Sequence, residues 1–148
     1  MTVNLRTLIA SGGSGIFRRH PRQPADPVLA ADLPGFSVVE VGLETAHERK
    51  VFFQKMAGAL AFPAHFGHNL DAFYDCLADL AGSCDKGLVL VLRGASGFAR
   101  GEPEEFGAAV DALIDAADYW KAQGKILLAV IELDQAVLAP ELPEISEP

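Results

Sequence analysis

The chain has 148 residues, of which 50% are hydrophobic and 22% charged, and its formal net charge is -8 at pH 7. This length and composition fit one folded domain with its own core, and they exclude a disordered chain or a small scaffold that depends on disulfides. An acidic surface favours basic partners and disfavours nonspecific binding to nucleic acid or anionic lipid.

The charge is unevenly distributed along the sequence. Residues 1–30 carry four arginines against one aspartate, which sums to about +3. From residue 69 to the end there are fifteen acids against five bases, or roughly -10. Moderate acidity also keeps small proteins soluble, so charge alone leaves the class of partner open.

The N-terminal sequence and the two cysteines indicate the cellular compartment in which the protein is found. The first residues lack the basic and then continuously apolar regions of a secretory signal, and no apolar run reaches the length of a membrane span. Cys76 and Cys84 match neither a disulfide framework nor a metal motif. We therefore expect a reduced, cytoplasmic protein that has no contact with a membrane.

The first 35 residues predict little regular structure. A glycine-rich stretch over residues 12–15 and three prolines between residues 20 and 27 indicate loops, with room for one short edge strand at residues 16–18. After Pro34 and Gly35 the hydrophobic pattern of the sequence becomes regular. The β-branched run at residues 36–41 predicts the first strand of a regular domain.

Two helices are predicted to follow that strand. The first covers residues 46–61, and Thr45 and Glu48 fit a capping box in which each side chain satisfies a free amide at the helix start. Pro63 ends it. Asn69 is a favourable N-cap residue for the second helix, which is predicted to run to about residue 81.

The C-terminal half alternates strand and helix. Residues 87–92 predict a central strand that is apolar on both faces, and residues 125–133 predict the last strand. Between them a glycine-rich loop at residues 93–101 leads to a helix that begins at Pro103 and ends before Gly124. This order predicts an α/β fold, with a small, mainly parallel three-stranded sheet packed with helices.

The predicted elements divide the chain into three sections. An N-terminal extension covers residues 1–35, the regular domain covers residues 36–133, and a proline-containing C-terminal tail covers residues 134–148. The side chains predicted for the core are Phe52, Leu70, Phe73, Leu77, Val110 and Trp120.

Two of the predicted helices carry rows of aspartates at helical spacing. The rows are Asp71, Asp75 and Asp79 on the second helix, and Asp111, Asp115 and Asp118 on the third. Like charges at this spacing destabilise an isolated helix by about 0.2–0.5 kcal/mol per pair. No Lys or Arg is interleaved with them, although a solvated helix face commonly has both signs. The rows therefore indicate an external cation, with a solvated face as the alternative.

A metal site is one such interpretation. His65, His68, Asp71 and Asp75 lie close together in sequence, but they match neither an HExxH nor an EF-hand pattern. Cys76 lies toward the apolar side of its helix, and no nucleophile-elbow or phosphate-loop motif occurs. We predict no catalytic residue, no metal and no cofactor, and a hydrolase or metal-dependent enzyme that uses His65, His68 and Asp71 remains one alternative.

Residues 62–77, FPAHFGHNLDAFYDCL, resemble the signature of the barstar family of ribonuclease inhibitors. The matching features are the proline after a helix, the aromatic-Gly-x-Asn-Leu-Asp-Ala run, and the aromatic-Asp-Cys-Leu that closes it. The predicted elements over residues 36–133 also follow the order of the family. The resemblance therefore implies a barstar-like fold.

The resemblance also implies a partner-binding surface on the second helix, the loop before it and the third helix. With the last aspartate of the first row included, its residues are His65, Asn69, Asp71, Tyr74, Asp75, Asp79 and Asp111. Asp75 would be the central carboxylate, which takes the place of an RNA phosphate in the active site of the nuclease. His65 and Tyr74 stand where the family commonly has tyrosine and tryptophan, a difference that bears on which nuclease is bound.

The function that the resemblance implies is intracellular inhibition, not catalysis. The partner would be a basic, extracellular-type ribonuclease of the barnase kind, or a related toxin, bound 1:1 without direct contact to nucleic acid. The protein would then protect the cell that makes the nuclease, as an antitoxin-like immunity protein does. The alternative is a regulatory module of the same fold that binds another basic protein.

Overall fold

The structure is a computed structural model, and it describes residues 2–4, 8, 15–21, 34–63 and 69–146. Its strands are β1 (Thr2–Asn4), β2 (Gly15–Arg19), β3 (Phe36–Gly42), β4 (Gly87–Arg93), β5 (Ile126–Glu132) and β6 (Glu144–Ser146). Its helices are α1 (Arg49–Leu60), α2 (Leu70–Asp79), α3 (Ser96–Gly101) and α4 (Pro103–Ala122), with 3-10 turns at Leu80–Gly82 and Ala136–Leu138. These six strands belong to one sheet, in the order β1-β6-β2-β5-β4-β3.

The predicted parallel sheet is confirmed. The three strands expected in the domain are β3, β4 and β5, which are neighbours in parallel register. β4 is buried over its first six residues because it has a strand on each side and an apolar layer on each face. The short strand expected near Ile16 is β2, but it is not an edge strand. It pairs with β5 on one side and with β6 on the other, and β1 lies beyond β6.

Two apolar layers lie on opposite faces of the sheet. Since side chains alternate along a strand, Leu88, Leu90 and Leu92 of β4 belong to one layer, while Val89 and Val91 belong to the other. The first layer is the larger and includes residues from α1, α2, α3 and α4. The fold is therefore α/β, with these helices packed on one face of the sheet.

The capping box predicted at the start of α1 is wrong. Glu48 is the N-cap residue, and its side chain makes no capping hydrogen bond. Instead the backbone N–H of Arg49 donates to Oε2 of Glu102, 2.6 Å away, from the segment just before α4. Leu43 and Ala46 are fully buried, so the chain before α1 packs as a loop and the helix begins later than predicted.

The loop predicted over residues 93–101 contains α3. Phe98 is fully buried in α3 and stacks on Phe52, with 4.8 Å between ring centroids. A Cβ at Gly97 would lie 2.8 Å from the imidazole of His47, and one at Gly101 would lie 2.7 Å from the His47 carbonyl oxygen. The glycines that predicted a loop therefore permit a short helix to pack closely against the segment before α1.

The predicted end of α4 is confirmed. Gly124 has a φ of 74°, which a glycine adopts without steric cost. Its N–H donates to the Lys121 carbonyl at 3.0 Å, and the N–H of Lys125 donates to the Trp120 carbonyl at 2.9 Å. This pair of bonds is a Schellman motif. It satisfies carbonyls at the end of α4 and turns the chain into β5.

Candidate functional site

The site lies between α2 and α4, which are joined through their buried faces. Phe73 and Leu77 of α2 are fully buried, as is Trp120 of α4. The indole Nε1 of Trp120 donates to the backbone carbonyl of Leu77 at 2.9 Å. Because this buried donor is satisfied by the neighbouring helix, the bond fixes the position of α2 relative to α4.

The start of α2 is fixed by Asn69, as predicted. Its side-chain oxygen accepts a hydrogen bond from the backbone N–H of Ala72 at 2.8 Å. Asp71 then lies in the first turn, where the positive end of the helix dipole stabilises a carboxylate. The cap therefore determines where the aspartate row of α2 begins.

An open groove of about 750 Å³ runs between α2 and α4, and we call it the acidic groove. Asp71 and Asp75 lie on the α2 wall, and Asp111 and Asp115 lie on the α4 wall. The remaining lining residues are Leu70, Tyr74, Ala108 and Ala112. The two rows of aspartates are thus not independent outer faces, because members of both meet across one cavity.

The acidic groove has no basic side chain among its lining residues. Its four aspartates are exposed, and none of them takes part in an ion pair within the described part of the chain. Four like charges around one concave surface produce a locally concentrated negative potential. A partner that supplies cationic groups would relieve this repulsion.

The structure separates the residues that the sequence predicted for the site. Asp71, Tyr74, Asp75 and Asp111 all line the acidic groove. Asn69 caps the helix that forms one wall. His65 lies outside the described residues, as does the rest of the loop at residues 64–68.

Asp115 lines the groove but was not among the predicted site residues. The sequence placed it in the α4 row, four residues after Asp111 and so on the same side of the helix. That spacing was the available signal. Asp118 belongs to the same row and is exposed, but it lines neither the acidic groove nor the smaller cavity described below.

Asp79 lines a separate, smaller cavity of about 280 Å³, which we call the second groove. Its other lining residues are Ala78, Ala81, Gly82, Tyr119, Gln123 and Lys125. It lies further along the same two helices, because Asp79 comes one turn after Asp75 and Tyr119 one turn after Asp115. The aspartates of the α2 row therefore line two different cavities.

Cys76 lies on α2 close to Asp75 and Asp79. Partial burial raises the pKa of its thiol, and the charges of Asp79 and Asp75 raise that pKa further. The thiol is accordingly protonated at neutral pH, which makes it a poor nucleophile.

The described part of the chain offers little for a metal centre or a membrane span. Among these residues no group of three or more His, Cys, Asp and Glu side chains could hold a metal ion. His65 and His68, which the metal interpretation requires, are not among them. None of the described helices has the length and apolar character needed to cross a bilayer.

A known protein family matches the part of the chain that forms the acidic groove. A family model described as Barstar (barnase inhibitor) matches residues 36–132 of the 148. The match begins with β3, ends with β5, and includes both walls of the acidic groove. No curated protein matches the chain.

Proposed function

Because this chain belongs to the barstar family, we propose that it binds and inhibits a basic ribonuclease of the barnase kind. We further propose that the acidic groove is the surface that meets the enzyme. The observation that supports this is the convergence of four exposed aspartates from α2 and α4 on one cavity without a basic lining residue.

The chemistry of the groove suits the active site of such an enzyme. A ribonuclease holds the phosphates of RNA with cationic side chains, and a fixed carboxylate presents a similar charge and similar hydrogen-bond acceptors. Asp75 is the residue for which we propose this phosphate-like role. Asp71 precedes it on α2, and Asp111 and Asp115 face it from α4, so a cationic surface would meet several carboxylates at once.

Electrostatic attraction also accelerates the encounter of the two proteins. A negatively charged groove draws a basic enzyme toward the correct face and disfavours other orientations. Barnase and barstar are themselves an example of this steering. What this chain adds is the placement of its charge, concentrated between two helices.

Buried contacts join the two walls of the groove. Phe73, Leu77 and Trp120 are fully buried beneath it, and the Trp120–Leu77 hydrogen bond joins its walls. Contacts of this kind limit the conformational entropy that the backbones of the two helices lose on binding a partner. A surface whose helices are already packed together favours a tight complex, in keeping with a stoichiometric inhibitor.

We include three further residues in the proposed interface. Tyr74 lines the acidic groove beside the aspartates and supplies an aromatic surface. Asn69 stands at the exposed start of α2, where it serves as the cap. His65 enters the proposal through the family resemblance alone. We propose a 1:1 complex that forms in the cytoplasm of the producing cell.

The proposal is tested by titrating barnase with the purified chain while RNA cleavage is followed. We expect activity to fall linearly and to end at one molecule of inhibitor per molecule of enzyme. Full activity at a large excess of the chain would contradict the proposal. Binding without loss of cleavage would instead support the regulatory module of the same fold.

A further inference from the structure

The second groove continues the cleft in which the acidic groove lies. We propose that it receives an arginine side chain of the same basic partner, whose guanidinium stacks on Tyr119 and pairs with Asp79. This inference rests on the proposed function, since it names a second contact for the same partner.

Continuity of the two grooves is the first support. Both are lined by residues of α2 and α4, and the second follows the first by about one helical turn. One turn is about 5.4 Å along a helix, so the two grooves are separated by less than the width of an ordinary protein–protein interface. A protein that covers Asp75 and Asp115 therefore lies over Asp79 and Tyr119 as well.

The exposure of Tyr119 is the second support. Its side chain is 41% exposed, and Val137 is the only other large apolar side chain that is exposed among the described residues. Aromatic side chains are enriched at the centres of protein interfaces because they bury a large area with few rotatable bonds. In the second groove the tyrosine stands beside small residues, Ala78 and Gly82, that leave space next to it.

The charges that line the second groove favour the binding of a cationic side chain. Asp79 is exposed and is in none of the ion pairs within the described residues. The one lining cation, Lys125, is committed elsewhere, because its Nζ donates to the carbonyls of Ala81 and Cys84 at 2.5 and 2.6 Å. These bonds also hold the floor of the groove against the start of β5.

Arginine fits this combination better than lysine. Its guanidinium is planar, so it can stack on the tyrosine ring while its edge donates to a carboxylate. Lysine carries a compact, strongly hydrated charge that stacks less well. The groove of about 280 Å³ has room for one such side chain and not for a folded segment.

The test compares dissociation constants for barnase by isothermal titration calorimetry. The variants are Tyr119→Ala, Tyr119→Phe, Val137→Ala and Asp75→Ala, each checked by circular dichroism for native helix content. We expect Tyr119→Ala to weaken binding between about threefold and about thirtyfold, the range for a cation on an aromatic ring. Tyr119→Phe keeps the ring and Val137→Ala lies outside both grooves, so both should bind within about twofold of the native chain.

A double-mutant cycle separates this contact from general acidity. If Asp79 and Tyr119 hold the same guanidinium, the losses from Asp79→Asn and Tyr119→Ala should not add. Unchanged binding by Tyr119→Ala, while Asp75→Ala binds much more weakly, would overturn this inference and leave the proposed function standing. Unchanged binding by Asp75→Ala, or no binding of barnase by the native chain, would overturn both.

Discussion

Asn69 fixes the start of the helix that carries half of the acidic groove. Its side chain accepts from the N–H of Ala72, and without that acceptor the first turn of α2 would have one more free amide. We expect Asn69→Ala to lower the free energy of unfolding by about 1 kcal/mol, as measured by urea denaturation. Asn69→Ser keeps a capping oxygen and should lose much less. Equal losses in the two variants would show that the cap is not the source of the effect.

Local signals explain which residues could be predicted. Asn69 and Gly124 act on atoms within a few positions of themselves, so the sequence near each of them specifies its role. The separation of Asp75 from Asp79 into different cavities depends on which α4 residues lie opposite, and no spacing within α2 contains that information. Asp115 was missed as a site residue although its spacing from Asp111 places both on one side of α4.

The start of α1 is determined by a tertiary contact and not by the local sequence that predicted a capping box. Thr45 and Glu48 have the spacing of a capping box, yet the amide of Arg49 is satisfied by Glu102, 53 residues away. Arg49 also lies 3.6 Å from Glu105 through its guanidinium. The start of α1 is therefore held by α4 and the residue before it, and the sequence around α1 alone does not show this.

This contact gives a pair of variants with opposite expectations. Glu102→Ala removes the acceptor of the Arg49 N–H and should lower the free energy of unfolding by about 1 kcal/mol. Thr45→Ala should change it by less than about 0.5 kcal/mol, because Thr45 is exposed and makes no cap. Chemical denaturation of both variants measures the difference. A larger loss of stability in Thr45→Ala than in Glu102→Ala would show that Thr45 does cap the helix.

The hydrophobic pattern of the sequence predicts the strands β4 and β5 correctly, but it does not predict the helix α3. β4 and β5 are predictable because a continuous apolar run of strand length has few alternatives. α3 has only six residues, three of them glycine or serine, and its helical form depends on burying Phe98 against Phe52 and Phe106. Short segments of this kind are determined by the surrounding core and not by their own periodicity.

Across the sheet, ionic contacts join β2 to the strands of the part of the chain that matches the family, residues 36–132. The guanidinium of Arg19 in β2 lies 3.6 Å from the carboxylate of Glu132 in β5, and both side chains are buried. Arg93 of β4 lies 3.4 Å from that same carboxylate and 2.7 Å from Glu40 of β3. The hydrogen bond from Arg93 lowers the pKa of Glu40. The network therefore links four adjacent strands, one of which precedes the matched residues 36–132.

Burial decides which part of this network matters for stability. Glu132→Gln removes the buried carboxylate that faces Arg19 and should lower the free energy of unfolding by about 3 kcal/mol or more. Glu40→Gln removes an exposed partner of the same network and should lower it by less than about 1 kcal/mol. Urea denaturation followed by circular dichroism compares them. Similar small losses in both would mean that the buried pair does not hold β2 to the sheet.

We propose that the acidic groove, and not acidity in general, binds the partner. The most direct measurement is the dissociation constant for barnase of two aspartate variants of equal charge, Asp75→Asn in the groove and Asp118→Asn outside it. We expect Asp75→Asn to weaken binding by at least about 2 kcal/mol, a magnitude carried over from the hot spots of the barstar–barnase interface itself. Asp118→Asn should stay within about 0.5 kcal/mol of the native chain. Equal losses in the two variants, or none in either, would contradict the claim.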